Sequence, residues 1–259
     1  STTYYSDQCA HLYTWRAVYC FHHTKENGMI RMRQLAIGYK DVLLNTDDIH
    51  LERGKVYALI GANGRGKTTL LKTLNGFLKP RSGELVIDNK PAAEFSHSEF
   101  ARKIAFVSSK FEGVDHLTVY QYVTLGRTPY LGLFGRLSIQ DHNIVKSAIE
   151  QLGLTDFSER ITSELSDGER QMSSIARALA QDCPVITLDE PTAFLDYKNK
   201  ERIMEILQYI AKDKNKCILF SSHDIELLCR KPVSVLAITP SKTLQQIVNN
   251  DLSALIELF

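Results

Sequence analysis

Short apolar runs of strand length alternate along this chain with longer stretches in which apolar residues recur every three or four positions. Continuous apolar runs lie at 56–60, 185–188 and 217–220, and helical spacing is clear at 144–152 and 203–210. A strand buried on both faces has a continuous apolar pattern, whereas a helix packed on a sheet shows a 3.6-residue period. The alternation therefore predicts an α/β fold in which a mainly parallel sheet carries helices on its faces.

The first part of the chain has strand patterns on both sides of a glycine-rich turn. The helix that follows this turn should bury Leu70, Leu71 and Leu74 on one face, with Leu78 as a further candidate. The strands predicted in this part are 31–37, 42–51, 56–60, 84–88 and 104–107.

The middle of the chain, about residues 113–182, is mostly helical in pattern and is interpreted as an insertion into the α/β fold. The predicted helices are 117–125, 141–152 and 169–180. Between the first two lies a connector at 126–132 with the sequence GRTPYLG. Its glycines and proline predict turns, which we expect to expose its aromatic and apolar side chains.

Residues 1–28 follow neither the helical nor the strand period. They are interpreted as a leader outside the folded domain, which would span residues 29–259. An alternative is a metal site, since Cys9, Cys20, His22 and His23 are possible ligands, although their spacing matches no familiar zinc pattern.

A glycine-rich loop joins the apolar run at 56–60 to the helix after it. Residues 61–69, GANGRGKTT, match the phosphate-binding pattern G-x-x-x-x-G-K-[ST] in its strand–turn–helix context. Backbone N–H groups of such a loop face a phosphate, the Lys67 ammonium reaches the β- and γ-phosphates, and the Thr68 hydroxyl binds Mg²⁺. The predicted nucleotide-binding residues of this loop are Gly61, Asn63, Gly64, Gly66, Lys67, Thr68 and Thr69. The alternative is a strand–helix turn without a ligand.

An acidic pair directly follows the apolar run at 185–188. A strand that ends in an acid places the carboxylate at the carboxyl edge of the sheet, beside a phosphate loop. Asp189 could then hold Mg²⁺, directly or through water, and Glu190 could polarise the attacking water as a general base. The alternative is a pair of strand-end carboxylates that face solvent.

The sequence LSDGE at 165–169 directly precedes a predicted helix. Ser166 and the amides after it could present hydrogen-bond donors to an anion at the helix N-terminus. In isolation the pattern fits a plain capping box better, because Ser166 lies three residues before Glu169. Its position ahead of the acid-ended strand, with His223 beyond, favours the anion site.

Composition narrows the possible functions. With 259 residues, of which 44% are hydrophobic, the chain can bury a substantial core. A net charge of +1 provides no electrostatic case for binding nucleic acid. No apolar run approaches the roughly 20 residues of a membrane helix, so work at a membrane would need partner subunits that span it. The 5 cysteines show no paired spacing, which predicts free thiols in a reducing compartment.

Together these motifs resemble those of the nucleotide-binding subunits of ABC transporters, over about residues 31–240. The loop at 61–69 resembles the Walker A motif, residues 185–190 resemble Walker B, and 165–169 resembles the LSGGQ signature. The resemblance implies a RecA-like P-loop ATPase core with an antiparallel β subdomain and an inserted helical subdomain. It also implies ATP and Mg²⁺ as ligands.

Further positions acquire roles through this resemblance. Tyr39 occupies the place of an aromatic residue that stacks on adenine, and His223 that of a switch histidine that contacts the γ-phosphate. Asp196 lies in a segment similar to the D-loop, which couples two ATP sites. The resemblance implies a homodimer in which each ATP lies between the Walker motifs of one subunit and the Ser166 and Gly168 of the other.

The sequence Gly-Arg-x-Pro-Tyr at 126–130 is similar to that of importers of ferric siderophores, haem and cobalamin. The resemblance implies an ATPase at the cytoplasmic face of a bacterial inner membrane, bound to multi-spanning permease subunits. A periplasmic or lipoprotein substrate-binding protein would deliver the cargo. The alternative is a soluble ABC-type ATPase that acts as a mechanical switch. The single cassette, without a basic tail or heptads, argues against that alternative.

Two positions depart from the family pattern. Where the family has a glutamine that touches Mg²⁺, this chain has Ser109, whose shorter side chain needs a water to make the same contact. Lys110 or Glu112 could substitute for it. The signature carries Asp167 in place of glycine, which brings a negative charge toward a triphosphate. These departures motivate a third hypothesis, an ATP-binding protein with little hydrolysis.

Overall fold

Strands and helices alternate along the chain in the order that the apolar pattern predicts. The computed structural model describes residues 28–111, 116–132, 135–193 and 195–247. The described strands are β1 (Gly28–Ile37), β2 (Leu44–Thr46), β3 (Ile49–Glu52), β4 (Val56–Ile60), β5 (Ser82–Ile87), β6 (Lys90–Pro91), β7 (Ile104–Val107), β8 (Val185–Leu188), β9 (Cys217–Ser221), β10 (Ser234–Ile238) and β11 (Thr243–Ile247). The α-helices are α1 (Lys67–Leu74), α2 (His97–Ala101), α3 (Val119–Thr124), α4 (Ile139–Gln151), α5 (Asp167–Ala180), α6 (Tyr197–Asp213) and α7 (Ile225–Cys229). Short 3-10 helices lie at Ala92–Glu94, Leu125–Tyr130, Thr155–Phe157 and Thr162–Glu164.

The sheet has a parallel half and an antiparallel half. Strands β10, β4, β9, β8 and β7 lie side by side and are all parallel. Strand β11 pairs antiparallel with β10 and parallel with β2. Strand β1 pairs antiparallel with β2, β3 and β5, and β5 pairs antiparallel with β6. This arrangement confirms the predicted RecA-like core with an antiparallel β subdomain, and helices α3 to α5 form the inserted helical part between β7 and β8.

Strand β4, which leads into the glycine-rich loop, is buried on both faces. Val56, Ala58 and Ile60 pack in a cluster with residues of helices α3 to α7, whereas Tyr57 and Leu59 pack with α1 and the antiparallel strands. These residues expose at most 6% of their surface. Because β4 is paired on both edges and packed on both faces, the loop after it starts from a rigid base.

Several predictions about local structure need correction. Helix α1 ends at Leu74, and Leu78 is half-buried beyond that end rather than on the helix face. Gly76, with φ of +75°, turns the chain away after the helix. Strand β1 begins at Gly28, one residue before the predicted domain start at Met29. The rest of the predicted leader, with its alternative metal site, lies outside the described residues.

Two expectations from composition can be compared with the structure. In the described part of the chain, Cys183, Cys217 and Cys229 are free thiols, as predicted. None of the described helices is long and apolar enough to cross a membrane.

The connector at 126–132 was predicted to be turn-rich and to expose its aromatic and apolar side chains, whereas Tyr130 and Leu131 are half-buried. Its first part belongs to the 3-10 helix Leu125–Tyr130, and Arg127 exposes only 6% of its surface. Arg127 Nε donates to Asp141 Oδ1 at 2.8 Å, and Nη1 donates to the Ala180 carbonyl at 2.9 Å. Its guanidinium also lies 4.0 Å from the centroid of the Tyr130 ring. Arg127 therefore links the 3-10 helix to α4 and to the end of α5.

The carboxylate that pairs with Arg127 is held in its charged form. The Ser138 hydroxyl and backbone N–H both donate to Asp141, and with the Arg127 guanidinium they lower the pKa of Asp141 to about 2. Both partners of the ion pair are largely removed from solvent, with side-chain exposures of 7% and 11%. A buried charge that loses its partner is strongly destabilising, so the pair is expected to matter for stability.

This burial predicts a specific effect on stability. Arg127→Met should lower the free energy of unfolding by about 3 kcal/mol, because it leaves Asp141 buried without its cation. Arg102→Met is the matched control: Arg102 faces the same Tyr130 ring at 5.1 Å but is exposed, so its loss should cost less than about 1 kcal/mol. Urea unfolding followed by circular dichroism measures both values. Equal losses for the two variants would contradict the buried link.

Candidate functional site

The glycine-rich loop between β4 and α1 encloses its own lysine. Gly64 and Gly66 have φ of +75° and +105°, a backbone region that favours glycine, and Gly66 caps the N-terminus of α1. Lys67 is buried, and its Nζ donates to the Gly61 carbonyl at 2.7 Å. Burial lowers the pKa of Lys67, an effect that the nearby charges of Glu190 and Asp189 oppose. The loop therefore presents a helix N-terminus and an ammonium group to the same space.

A series of hydrogen bonds joins this loop to the residues after β8. Thr68 Oγ1 donates to Asp189 Oδ2 at 2.9 Å, and Ser221 Oγ donates to Asp189 Oδ1 at 2.7 Å. The Glu190 N–H in turn donates to Ser221 Oγ at 2.8 Å. Both oxygens of Asp189 are thereby oriented, and the Thr68 hydroxyl beside a carboxylate is an oxygen donor set that suits Mg²⁺.

Ser221 is the part of this arrangement that the sequence analysis missed. It is completely buried at the end of β9, where β9 lies parallel to β8 with Leu188 opposite Phe220. Asp189 and Ser221, which follow Leu188 and Phe220, therefore lie at the same edge of the sheet. A serine at a strand end is a weak signal in a sequence, and its significance depends on knowing that β8 and β9 are neighbours.

Glu190 and His223 are in direct contact. Their side-chain atoms Oε1 and Nε2 are 2.6 Å apart, and both residues line a cavity of about 450 Å³. Glu190 has φ of +48°, in the left-handed region that non-glycine residues rarely adopt. Strained backbone of this kind is concentrated at functional sites. The two residues that the sequence analysis assigned to water activation and γ-phosphate contact are thus brought together.

Tyr39 and Ser109 lie in two segments that lead from strands toward the site. Tyr39 is 59% exposed in the turn between β1 and β2, and the next part of that turn approaches the loop, where a Cβ on Gly66 would lie 3.3 Å from Leu43. Ser109 follows β7, which ends at Val107. The Val107 carbonyl accepts a hydrogen bond from the Asp189 N–H at 2.9 Å. Ser109 is half-buried at the same sheet edge as Asp189.

The signature-like residues form a second group at the N-terminus of α5. The capping box predicted as the simpler alternative is formed: Ser166 Oγ accepts from the Glu169 N–H at 3.4 Å, and the Ser166 N–H donates to Glu169 Oε2 at 2.7 Å. These bonds from Ser166 also lower the pKa of Glu169. Ser166 and Asp167 are exposed, and Asp167 lies 3.5 Å from Arg170 Nη1.

Asp196 belongs to this second group. Its side chain caps α6 by accepting from the Asn199 N–H at 2.8 Å. A Cβ placed on Gly168 would lie 3.2 Å from Asn199 Nδ2, so the starts of α5 and α6 are in close contact. One chain therefore presents two groups of predicted site residues: the loop with Asp189, Glu190 and His223, and an exposed surface with Ser166, Gly168 and Asp196.

Comparison with known proteins identifies the family. Residues 44–193 match the family described as ABC transporter. The achromobactin transport ATP-binding protein of Dickeya dadantii is 38% identical over 202 residues, which cover 78% of this chain and 75% of that protein. The iron(3+)-hydroxamate import ATP-binding protein of Bacillus subtilis is 36% identical over 198 residues, covering 76% and 74% of the two chains.

Solved structures agree with the sequence relatives. The structure of cbiO1 from Clostridium perfringens, part of the ABC transporter complex cbiONQ, superposes with a TM-score of 0.78 at 27% identity, covering 90% of this chain and 92% of that one. A dimeric ATP-binding cassette in a post-hydrolysis state with ADP and Pi has a TM-score of 0.73 at 25% identity, covering 85% and 98%. The chain belongs to the ABC transporter family and is one of its ATP-binding subunits.

Proposed function

We propose that this chain hydrolyses ATP as one half of a homodimer and thereby powers import of an iron chelate, haem or a corrinoid through separate permease subunits. The observation that carries the hydrolytic part is the contact between Glu190 and His223, next to an Asp189 that is bonded to the phosphate loop. The relatives named for achromobactin transport and iron(3+)-hydroxamate import support the import of an iron chelate. Under the same proposal, the chain works at the cytoplasmic face of a bacterial inner membrane.

Each residue of the first group has a distinct task in hydrolysis. The loop amides and the Lys67 ammonium bind the β- and γ-phosphates, while Tyr39 offers its exposed ring to the adenine. The Thr68 hydroxyl and the Asp189 carboxylate would hold Mg²⁺, which neutralises phosphate charge when bound. Glu190 orients the attacking water and accepts its proton. His223, within hydrogen-bonding distance of Glu190, fixes that carboxylate and can reach the γ-phosphate.

The second group of residues motivates the homodimer. Ser166 and Asp196 are exposed, and together with Gly168 they form one surface at the starts of α5 and α6. A second copy placed head to tail would present this surface to the ATP held by the first copy. The similar cassette solved as a dimer with ADP and Pi supports this arrangement. The motion between closed and open dimers would then move the permease between two access states.

Replacing the proposed base tests the hydrolytic part. Glu190→Gln keeps the shape and hydrogen-bonding reach but removes the base, so turnover should fall by about 100-fold or more while ATP still binds. Glu226→Gln is the matched control, because Glu226 lines the same cavity and is exposed. Phosphate release and nucleotide binding measure the two effects. Turnover of Glu190→Gln within a few-fold of wild type would exclude Glu190 as the base.

Reconstitution tests the transport part. The full chain should copurify with a multi-spanning membrane protein, and proteoliposomes that hold the complex should accumulate a ferric siderophore, haem or cobalamin when ATP is supplied. The Glu190→Gln variant, assembled in the same way, should not support uptake because it cannot turn over ATP. Copurification with ribosomes or DNA in place of a membrane protein would support the alternative of a soluble switch.

The serine at position 109 makes a further prediction. If Ser109 reports the nucleotide to the permease through a bridging water, Ser109→Ala should reduce stimulation of ATPase activity by the permease more than it weakens ATP binding. Ser109→Gln, which restores the longer side chain of the family, should keep or raise the basal rate. The measurement is ATPase activity with and without the reconstituted permease. If Ser109→Ala behaves as wild type in both conditions, the contact belongs to Lys110, to Glu112 or to no side chain of this loop.

A further inference from the structure

The position of His223 depends on a short segment between β9 and α7. The Ser222 N–H donates to the Leu59 carbonyl at 3.0 Å, which ties the start of the segment to β4. The Asp224 N–H donates to Ser222 Oγ at 3.0 Å. Helix α7 begins only at Ile225, so its own hydrogen bonds do not include His223. Support for His223 therefore includes the side chains around this segment.

The carboxylate of Asp224 anchors the segment at its far end. One of its oxygens, Oδ1, accepts from the Leu227 N–H at 3.0 Å and caps α7. The other, Oδ2, lies 2.8 Å from Lys200 Nζ. Both side chains of this ion pair are partly buried, with exposures of 28% and 29%, so water screens their attraction less than on an open surface.

Lys200 lies in the first turn of α6, the helix that begins after the cap residue Asp196. Its N–H donates to the Asp196 carbonyl at 3.0 Å. The side chain lines the same cavity of about 450 Å³ as Glu190 and His223. Its neighbour Asn199 contacts the start of α5 at Gly168. The first turn of α6 thus touches the segment of the switch histidine on one side and the signature-like helix on the other.

We infer that Lys200 is a positioning residue for His223: its ion pair with Asp224 holds the Ser222–His223–Asp224 segment so that His223 reaches Glu190. The inference rests on the proposed hydrolysis of ATP. Lys200 acts through Asp224, to which its ammonium is bonded at 2.8 Å, and not by direct contact with the reacting groups. Without the ion pair, the segment keeps its tie to β4 and its cap but loses its link to α6. His223 would then spend less time in the orientation that supports catalysis.

Kinetics of the full chain test this inference. Lys200→Met should lower kcat about tenfold and leave KM for ATP within about twofold, because Lys67 and Thr68 are unchanged. Lys200→Arg keeps the cation and should recover most of kcat. Asp224→Asn keeps an oxygen to cap α7 but loses the charge, so it should match Lys200→Met, and it carries the test if Lys200→Met does not fold.

A second measurement separates positioning from a general loss of structure. In a His223→Ala background, adding Lys200→Met should lower the residual rate no further, because Lys200 acts only through the histidine. Lys231→Met is the matched control: Lys231 Nζ pairs with Glu201 of the same helix α6 at 2.6 Å, but Lys231 follows α7 and does not bond Asp224. This variant should keep kcat within about twofold of wild type.

Three results would overturn the inference: wild-type kcat in Lys200→Met, a further loss in the His223→Ala background, or an equal loss in Lys231→Met. Failure of the proposed function gives a different result. A wild-type chain that releases no phosphate from ATP refutes the hydrolytic assignment, whereas an active wild type with an unaffected Lys200→Met refutes only the role of Lys200.

Discussion

The register between β8 and β9 is the constraint on which the site depends. Because these strands are parallel neighbours, the residues that follow Leu188 and Phe220 meet at one edge, and Ser221 can bond both Asp189 and the Glu190 backbone. A shift of one residue in either strand would turn Ser221 away from Asp189. Residues of β4, β8 and β9 pack in two apolar clusters, one on each face of the sheet, and this burial opposes such a shift. The packing of the core therefore also orients Asp189 and Glu190.

The positive charge of Lys67 and the carboxylates of Asp189 and Glu190 lie close together at one edge of the sheet. Lys67 is buried where desolvation disfavours its charge, and Asp189 and Glu190 lie close enough to favour it. Asp189 meets hydroxyl donors on both of its oxygens, and Glu190 meets the imidazole of His223. The cation and the acids thus approach one space from the ends of different strands, so that the Lys67 ammonium can contact phosphate oxygens while Asp189 and Thr68 would hold the Mg²⁺ that accompanies them.

The sequence supported most of the fold and the first group of site residues, because those depend on local patterns. The phosphate loop is a contiguous motif, and the apolar runs of β4 and β8 are unambiguous. Ser221 required knowledge of which strands are neighbours, and the pairing of Lys200 with Asp224 required knowledge of how α6 packs beside α7. Leu78 was placed on α1 by spacing alone, although Gly76 ends that helical path. Patterns along the chain report local structure well, and contacts between distant segments poorly.

The burial of Arg127 changes what its motif means. The sequence at 126–130 suggested a subgroup of importers, yet Arg127 lies inside the helical part, bonded to Asp141 and to the Ala180 carbonyl. Packing between helices dictates the conformation of this motif, because its arginine is bonded to α4 and to the end of α5. A substitution of Arg127 would therefore act first on the rigidity of the inserted helical part.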